Sequence, residues 1–233
     1  MKSKTLPVKN ITRLATATEA LMTRAPGAPG MGLVHGHSGF GKTTAIAWMN
    51  NKKNGVYVRA LATWTPSAML TAILRELRRS PRGSCSLMTE DIVEELGRTG
   101  RPLFIDEADY LVSSMKLTET LRDIHDISLV PVVLVGMDKI EDRLRHRKQL
   151  IGRLAQNVRF EPADAEDAQL LASQLCEVTV KPDLIGLLHD KSGGSVRNIV
   201  VGLARIEQKA RALGLGEIDR KQFGTSELFT GAQ

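Results

Sequence analysis

Gly36-His37-Ser38-Gly39-Phe40-Gly41-Lys42-Thr43 fits the pattern G-x-x-x-x-G-K-[ST] without a gap and directly follows the apolar run Met31-Gly32-Leu33-Val34. Glycines let a backbone wrap closely around phosphate oxygens. The ammonium of Lys42 is suited to the β- and γ-phosphates of a nucleotide, and the hydroxyl of Thr43 to Mg²⁺. The motif demands a strand before it and a helix after it, and the segment Thr43-Thr44-Ala45-Ile46-Ala47-Trp48-Met49 reads as that helix. Thr44 is counted with the nucleotide contacts, and ATP with Mg²⁺ is the expected cofactor.

Working outward, Arg101-Pro102-Leu103-Phe104-Ile105-Asp106-Glu107 reads as a short buried strand ending in two adjacent carboxylates. Asp106 is expected to hold Mg²⁺ through water and Glu107 to polarise the water that attacks the γ-phosphate, so the pair points to hydrolysis as well as binding. The letters Asp-Glu-Ala-Asp also spell the name of a helicase class, but that class needs two motor domains and 233 residues are too few for both.

Between and beyond these motifs the pattern alternates. Helices are expected over Ile11–Arg24, Pro66–Arg79, Thr89–Arg98, Leu117–His125 and Ile140–Gln149, and strands over Val56–Val58, Val130–Val135 and Val158–Phe160. Buried strands alternating with helices argue for a five-stranded parallel sheet covered on both faces, an α/β fold with ligands at the strands' carboxyl ends. After Asp164 the strand signal stops and helical patterns follow at Ala165–Glu177, Asp183–Lys191 and Ser195–Leu213. The expected organisation is therefore an N-terminal helix and linker (1–30), an α/β core (31–161), a helical lid (162–223) and a frayed tail (224–233).

Composition narrows the class of partner. With 42% hydrophobic residues the chain can bury one substantial core plus a small appended subdomain. No apolar stretch approaches the roughly 20 residues that span a bilayer, so no membrane partner and a cytoplasmic location are expected. Cys85 and Cys176 stand far apart without neighbouring ligands, which supports neither zinc nor a disulfide framework. His35 and His37 flank Gly36 but lack a further ligand nearby. A net charge of +6 favours a polyanionic partner such as nucleic acid.

The order of these features resembles an AAA+ ATPase over nearly the whole chain: phosphate loop, Asp-Glu strand, apolar strand ending Val135-Gly136, arginines, then a helical lid carrying Gly193-Gly194-Ser195-Val196-Arg197. The resemblance implies that Arg197 is the sensor-2 arginine that reports the γ-phosphate. It also implies an arginine finger acting on a neighbouring subunit's nucleotide, with Arg153 the first choice and Arg147 the second. Sensor 1 falls at Gly136-Met137-Asp138, where Asp138 serves or the role is lost.

Within that family, Leu134-Val135-Gly136-Met137 and Gly-Gly-Ser-Val-Arg-Asn are similar to transposition target-selection ATPases of Mu-like transposable phages. Those carry a further N-terminal DNA-binding domain, whereas about thirty residues precede Met31 here, so DNA contact is expected from the ATPase body. The resemblance implies a ring or helical filament of subunits on double-stranded DNA, largely indifferent to sequence, which recruits and activates a transposase inside a bacterial host. Helicase loaders and replication initiators share the fold and remain the alternative. Candidate DNA contacts are Arg75, Arg78, Arg79 and Arg82 at one helix end, Lys116, and Lys2, Lys4 and Lys9, against the reading of a solvated basic surface.

Overall fold

The computed structural model describes residues 1–2, 4–225 and 227–229. It divides into two compact units, Arg13–Gly36 with Lys42–Phe160, and Met1–Thr12 with His37–Gly41 and Glu161–Gln233. The phosphate-loop residues 37–41 and the first twelve residues thus group with the C-terminal residues from Glu161 rather than with the sheet.

In the first unit five parallel strands, β1 (Met31–His35), β2 (Val56–Arg59), β3 (Leu103–Asp106), β4 (Val132–Gly136) and β5 (Leu154–Arg159), lie in the order β2-β3-β4-β1-β5. β1, β3 and β4 are buried at every residue, as the uninterrupted apolar runs predict for central parallel strands. Its helices include most of α1 (Lys9–Met22), which enters the unit at Arg13, with α2 (Lys42–Lys53), α3 (Pro66–Glu76), α4 (Cys85–Thr99), α5 (Asp109–Val112) and α6 (Met115–Ser128). Thr65, Ser84 and Ser114 cap α3, α4 and α6 by accepting a backbone N–H in the first turn, and Pro66 opens α3 without an unsatisfied donor. Met31, Leu33, Val58, Met69, Ile73, Ile92, Ile105, Leu121, Ile124 and Leu134 belong to one continuous apolar core.

Two expectations fail here. The basic helix expected over Ile140–Gln149 is two short helices, α7 (Ile140–Leu144) and α8 (Lys148–Ile151). Between them Arg147 leaves helical geometry at φ −110°, ψ 64°, while its guanidinium donates to the carbonyls of Val112 and Ser113 at 3.3 Å each. Partners offered by another segment outcompete the continuation of a charged helix. β5 also starts four residues before the expected Val158. It is an edge strand whose Gln156, Asn157 and Arg159 carry no apolar run to announce it.

In the second unit α9 (Ala165–Leu175), α10 (Pro182–Ser192) and α11 (Val196–Ala212) pack together, burying Leu171, Leu175, Leu184, Leu188, Leu203 and Ile206. The absence of strands expected after Asp164 is overturned by a two-stranded parallel ladder, β6 (Thr179–Val180) with β7 (Glu217–Ile218), followed by α12 (Arg220–Phe223). Two-residue strands are too short to leave an alternating pattern. Of the tail expected to fray, residues 226 and 230–233 lie outside the described residues, and Leu228 is buried.

Candidate functional site

Strand order places the two motifs: the phosphate loop follows β1, Asp106 ends β3, and β4 lies between them. The loop needs its glycines for two reasons. A Cβ at Gly36 would stand 2.6 Å from the carbonyl oxygen of Phe160, and Gly39 has a φ of +86°, where side chains are strained. Within the second unit, the backbone N–H of Arg197 donates to the Gly39 carbonyl at 3.0 Å, which ties the first turn of α11 to the loop. The Arg197 side chain itself is exposed. Ser38 and His37 are exposed, Phe40 is buried, and the His37 and Phe40 rings meet edge to face at 5.6 Å.

Lys42, in the first turn of α2, is 9% exposed, and its ammonium donates to the Gly36 carbonyl at 2.5 Å. Burial pushes its pKa down, against the raising pull of Asp138, Asp106, Glu107 and Asp109. The sulfur of Met137 lies 3.8 Å from the same nitrogen, so the end of β4 closes over the lysine. Thr43 and Thr44 are exposed in the same turn. The Thr43 hydroxyl donates to Oδ2 of Asp106 at 3.0 Å, and the Glu107 N–H to Oδ1 at 2.9 Å. A hydroxyl and a carboxylate facing each other form the hard oxygen pair that Mg²⁺ selects, so the site fits that ion. Among the described residues no cluster of three or more His, Cys, Asp or Glu offers another metal site.

Three partners in this site escaped the sequence reading. The Tyr57 hydroxyl donates to Oδ2 of Asp106 at 3.0 Å, and burial followed by the charge of Asp106 raises the pKa of the phenol. Arg59 donates to Glu107 at 3.0 Å. Asp109 accepts the Met137 N–H at 2.7 Å and stands 3.6 Å from Arg143, which ties the end of β4 to the chain after β3. Glu107 itself sits at φ +53°, a left-handed conformation that few non-glycine residues adopt.

The remaining candidates are dispersed. Arg153 forks onto Asp126, with Nε 2.8 Å from Oδ1 and Nη2 2.6 Å from Oδ2, and holds that carboxyl below its ordinary range. The first-choice finger is therefore engaged within its own chain, and the second choice, Arg147, binds the two carbonyls named above. Asp138 is half-buried. Arg75, Arg78, Arg82 and Lys116 are exposed, Arg78 in a left-handed turn at φ +58° just past α3. Arg79 and Arg98 instead clamp the buried Glu95. Lys9 is bound by Asp164 and Glu166, which removes it from the free basic residues.

The Arg98 and Arg79 guanidinium groups hold the carboxyl of Glu95 down to about 2, from an ordinary 4.5. A carboxyl depressed by folding contributes stability that is present above its ordinary pKa and lost as pH falls through the folded value. The wild-type unfolding midpoint should therefore decline on acidification from 4.5 towards 2. Glu95→Gln should lose part of that decline, which a denaturant melt series across this range reads directly.

Fold and site together define a P-loop ATPase. A sequence profile described as AAA domain matches residues 25–144, just over half of the chain, and the chain belongs to that family. No curated protein matches it in sequence. Among solved structures it is similar to the Aeropyrum pernix ORC2 protein in ADPNP-ADP complexes, with a TM-score of 0.72 and 19% identity over 93% of this chain and 66% of that one. The Aeropyrum pernix ORC1 protein in complex with DNA matches with a TM-score of 0.62 and 20% identity over 91% and 62%. The Thermotoga maritima RuvB Holliday junction branch migration motor matches with 0.62 and 19% over 92% and 66%. The chain spans a little under two thirds of each of these neighbours, and at such identities the likeness speaks for the fold.

Proposed function

We propose that this chain binds and hydrolyses ATP with Mg²⁺, assembles on duplex DNA in its ATP state, and presents that DNA to a transposase that it activates. The observation that carries the ATPase part is the convergence of Lys42, Thr43, Asp106 and Glu107 at the ends of β1 and β3, with Thr43 and Asp106 in contact at 3.0 Å. Lys42 and the loop amides hold the phosphates. Thr43 and Asp106 hold Mg²⁺, which when bound neutralises charge on the phosphate oxygens. Glu107 orients the attacking water once Arg59 releases it. Arg197 reads the γ-phosphate, and an arginine finger completes the site of a neighbouring subunit. For Arg153 to be that finger it must exchange Asp126 for a phosphate.

DNA binding is supported by the net charge of +6 and by the exposed Arg75, Arg78, Arg82 and Lys116. Contacts of arginine or lysine with phosphate add affinity without sequence preference. Arg78→Ala and Arg82→Ala should each flatten the dependence of log affinity on log salt by about one unit, equally on unrelated duplexes. Arg79→Ala should flatten it less, because Glu95 already occupies that guanidinium. Fluorescence anisotropy at several salt concentrations measures this, and unchanged slopes would remove the cluster from the DNA footprint.

Delivery to a transposase rests on the similarity to transposition ATPases. A second reading, replication initiation, is favoured by the fold likeness to the two ORC proteins. Electron microscopy of the chain on non-specific duplex with ATP, ADP or no nucleotide tests the proposal. Filaments or rings that need ATP and dissolve with salt are the expected result. Absence of DNA binding in every nucleotide state would overturn both readings.

A further inference from the structure

We infer that Tyr57 is a positioning residue for the metal-binding carboxylate, fixing Asp106 through its hydroxyl. The inference rests on the reading of Thr43 and Asp106 as the Mg²⁺ pair. β2 and β3 run parallel with Tyr57 opposite Phe104 and Arg59 opposite Asp106. Alternate residues of a strand share a face, so Tyr57, Arg59 and Asp106 emerge on the same side of the sheet. From there β2 reaches both carboxylates: Tyr57 donates to Oδ2 of Asp106 and Arg59 to Glu107, each at 3.0 Å.

Asp106 is 3% exposed, and its three donors are the Thr43 hydroxyl and Tyr57 hydroxyl on Oδ2 and the Glu107 N–H on Oδ1. Of these, Thr43 is itself a metal ligand in the proposed site and the Glu107 N–H is backbone. Tyr57 is therefore the one side chain of the three that holds the carboxylate without also facing the ion. Partners behind a metal ligand set its orientation and basicity, and their loss typically costs about 10- to 100-fold in metal affinity or activity. A tyrosine that served only to fill space would bury its ring and leave its hydroxyl to solvent. Here the half-buried ring aims its hydroxyl at the buried carboxylate.

Tyr57→Phe keeps the ring and removes only that donor. The Mg²⁺ concentration for half-maximal ATPase should rise about tenfold, while turnover at saturating Mg²⁺ stays close to wild type. A fluorescent ATP analogue should bind as tightly as to wild type in EDTA, but gain less on addition of Mg²⁺. The chain has two tyrosines, Tyr57 and Tyr110, so ¹³Cζ-tyrosine labelling of the wild-type protein gives two signals, and Tyr110→Phe assigns them. The Tyr57 signal should move when Mg²⁺ is added to the nucleotide-loaded protein, and this readout survives even if Tyr57→Phe does not fold. An unmoved Tyr57 signal, or a variant with lowered melting temperature but wild-type Mg²⁺ dependence, overturns the inference. Asp106→Asn separates the two levels. If it too leaves Mg²⁺ dependence untouched, the metal-pair reading fails; if it abolishes that dependence while Tyr57→Phe does nothing, only the role of Tyr57 fails.

Discussion

Glu107→Gln is expected to retain ATP binding while slowing hydrolysis by about 10²- to 10⁴-fold, the usual contribution of a positioned base. Glutamine has the shape of glutamate but cannot accept a proton from water. Little else in the site depends on the charge of Glu107: its own bond to Asp106 comes from the backbone N–H, and the proposed phosphate contacts are Lys42 and the loop. The neutral side chain can still accept from Arg59, so the local geometry should persist. Phosphate release and equilibrium binding of a fluorescent ATP analogue separate the two effects. Loss of binding in parallel with loss of turnover would mean that Glu107 shapes the site rather than acting on water. On duplex DNA the same variant should accumulate in the ATP-assembled state.

Lys42→Ala should act on the opposite side of that division. The ammonium is buried and desolvated, and Gly36 is the backbone partner it holds. Hydrogen bonds to charged groups contribute about 1.5–3 kcal/mol, so ATP affinity should fall at least about 10- to 100-fold and turnover with it. The apo protein should respond differently. A lysine whose pKa is lowered by burial opposes folding at neutral pH, so its removal should leave the melting temperature unchanged or raised in the absence of nucleotide. Addition of ATP should then stabilise wild type and not the variant. A variant that melts early without nucleotide would show instead that Lys42 supports the loop structurally.

Much of the site was legible because its chemistry is local. Gly36 to Thr43 and Leu103 to Glu107 each combine an apolar strand with fixed polar residues at its end, and contiguous residues carry the whole message. The partners were not legible for the complementary reason. Tyr57 and Arg59 meet Asp106 and Glu107 only through strand register, nothing in Val56-Tyr57-Val58-Arg59 states which strand lies beside it, and Asp109 meets Met137 only because β3 and β4 are neighbours. The arginines illustrate the same limit. Arg75 to Arg82 reads as one basic cluster, yet the structure turns Arg79 onto Glu95 some sixteen residues away and leaves Arg78 exposed. Charge along the chain counts arginines without showing which are already neutralised.

The backbone at position 107 selects against the residue it carries. At φ +53° a side chain costs about 1–2 kcal/mol relative to the right-handed region, a penalty that glycine escapes. Judged from the backbone alone, glycine is the best choice there, and any procedure that improves the sequence for this fold by conformational fit would erase the carboxylate. Asn54, Arg78 and Leu129 share that geometry; at position 107 it falls beside the proposed metal pair, so local fit and the proposed chemistry pull in opposite directions there.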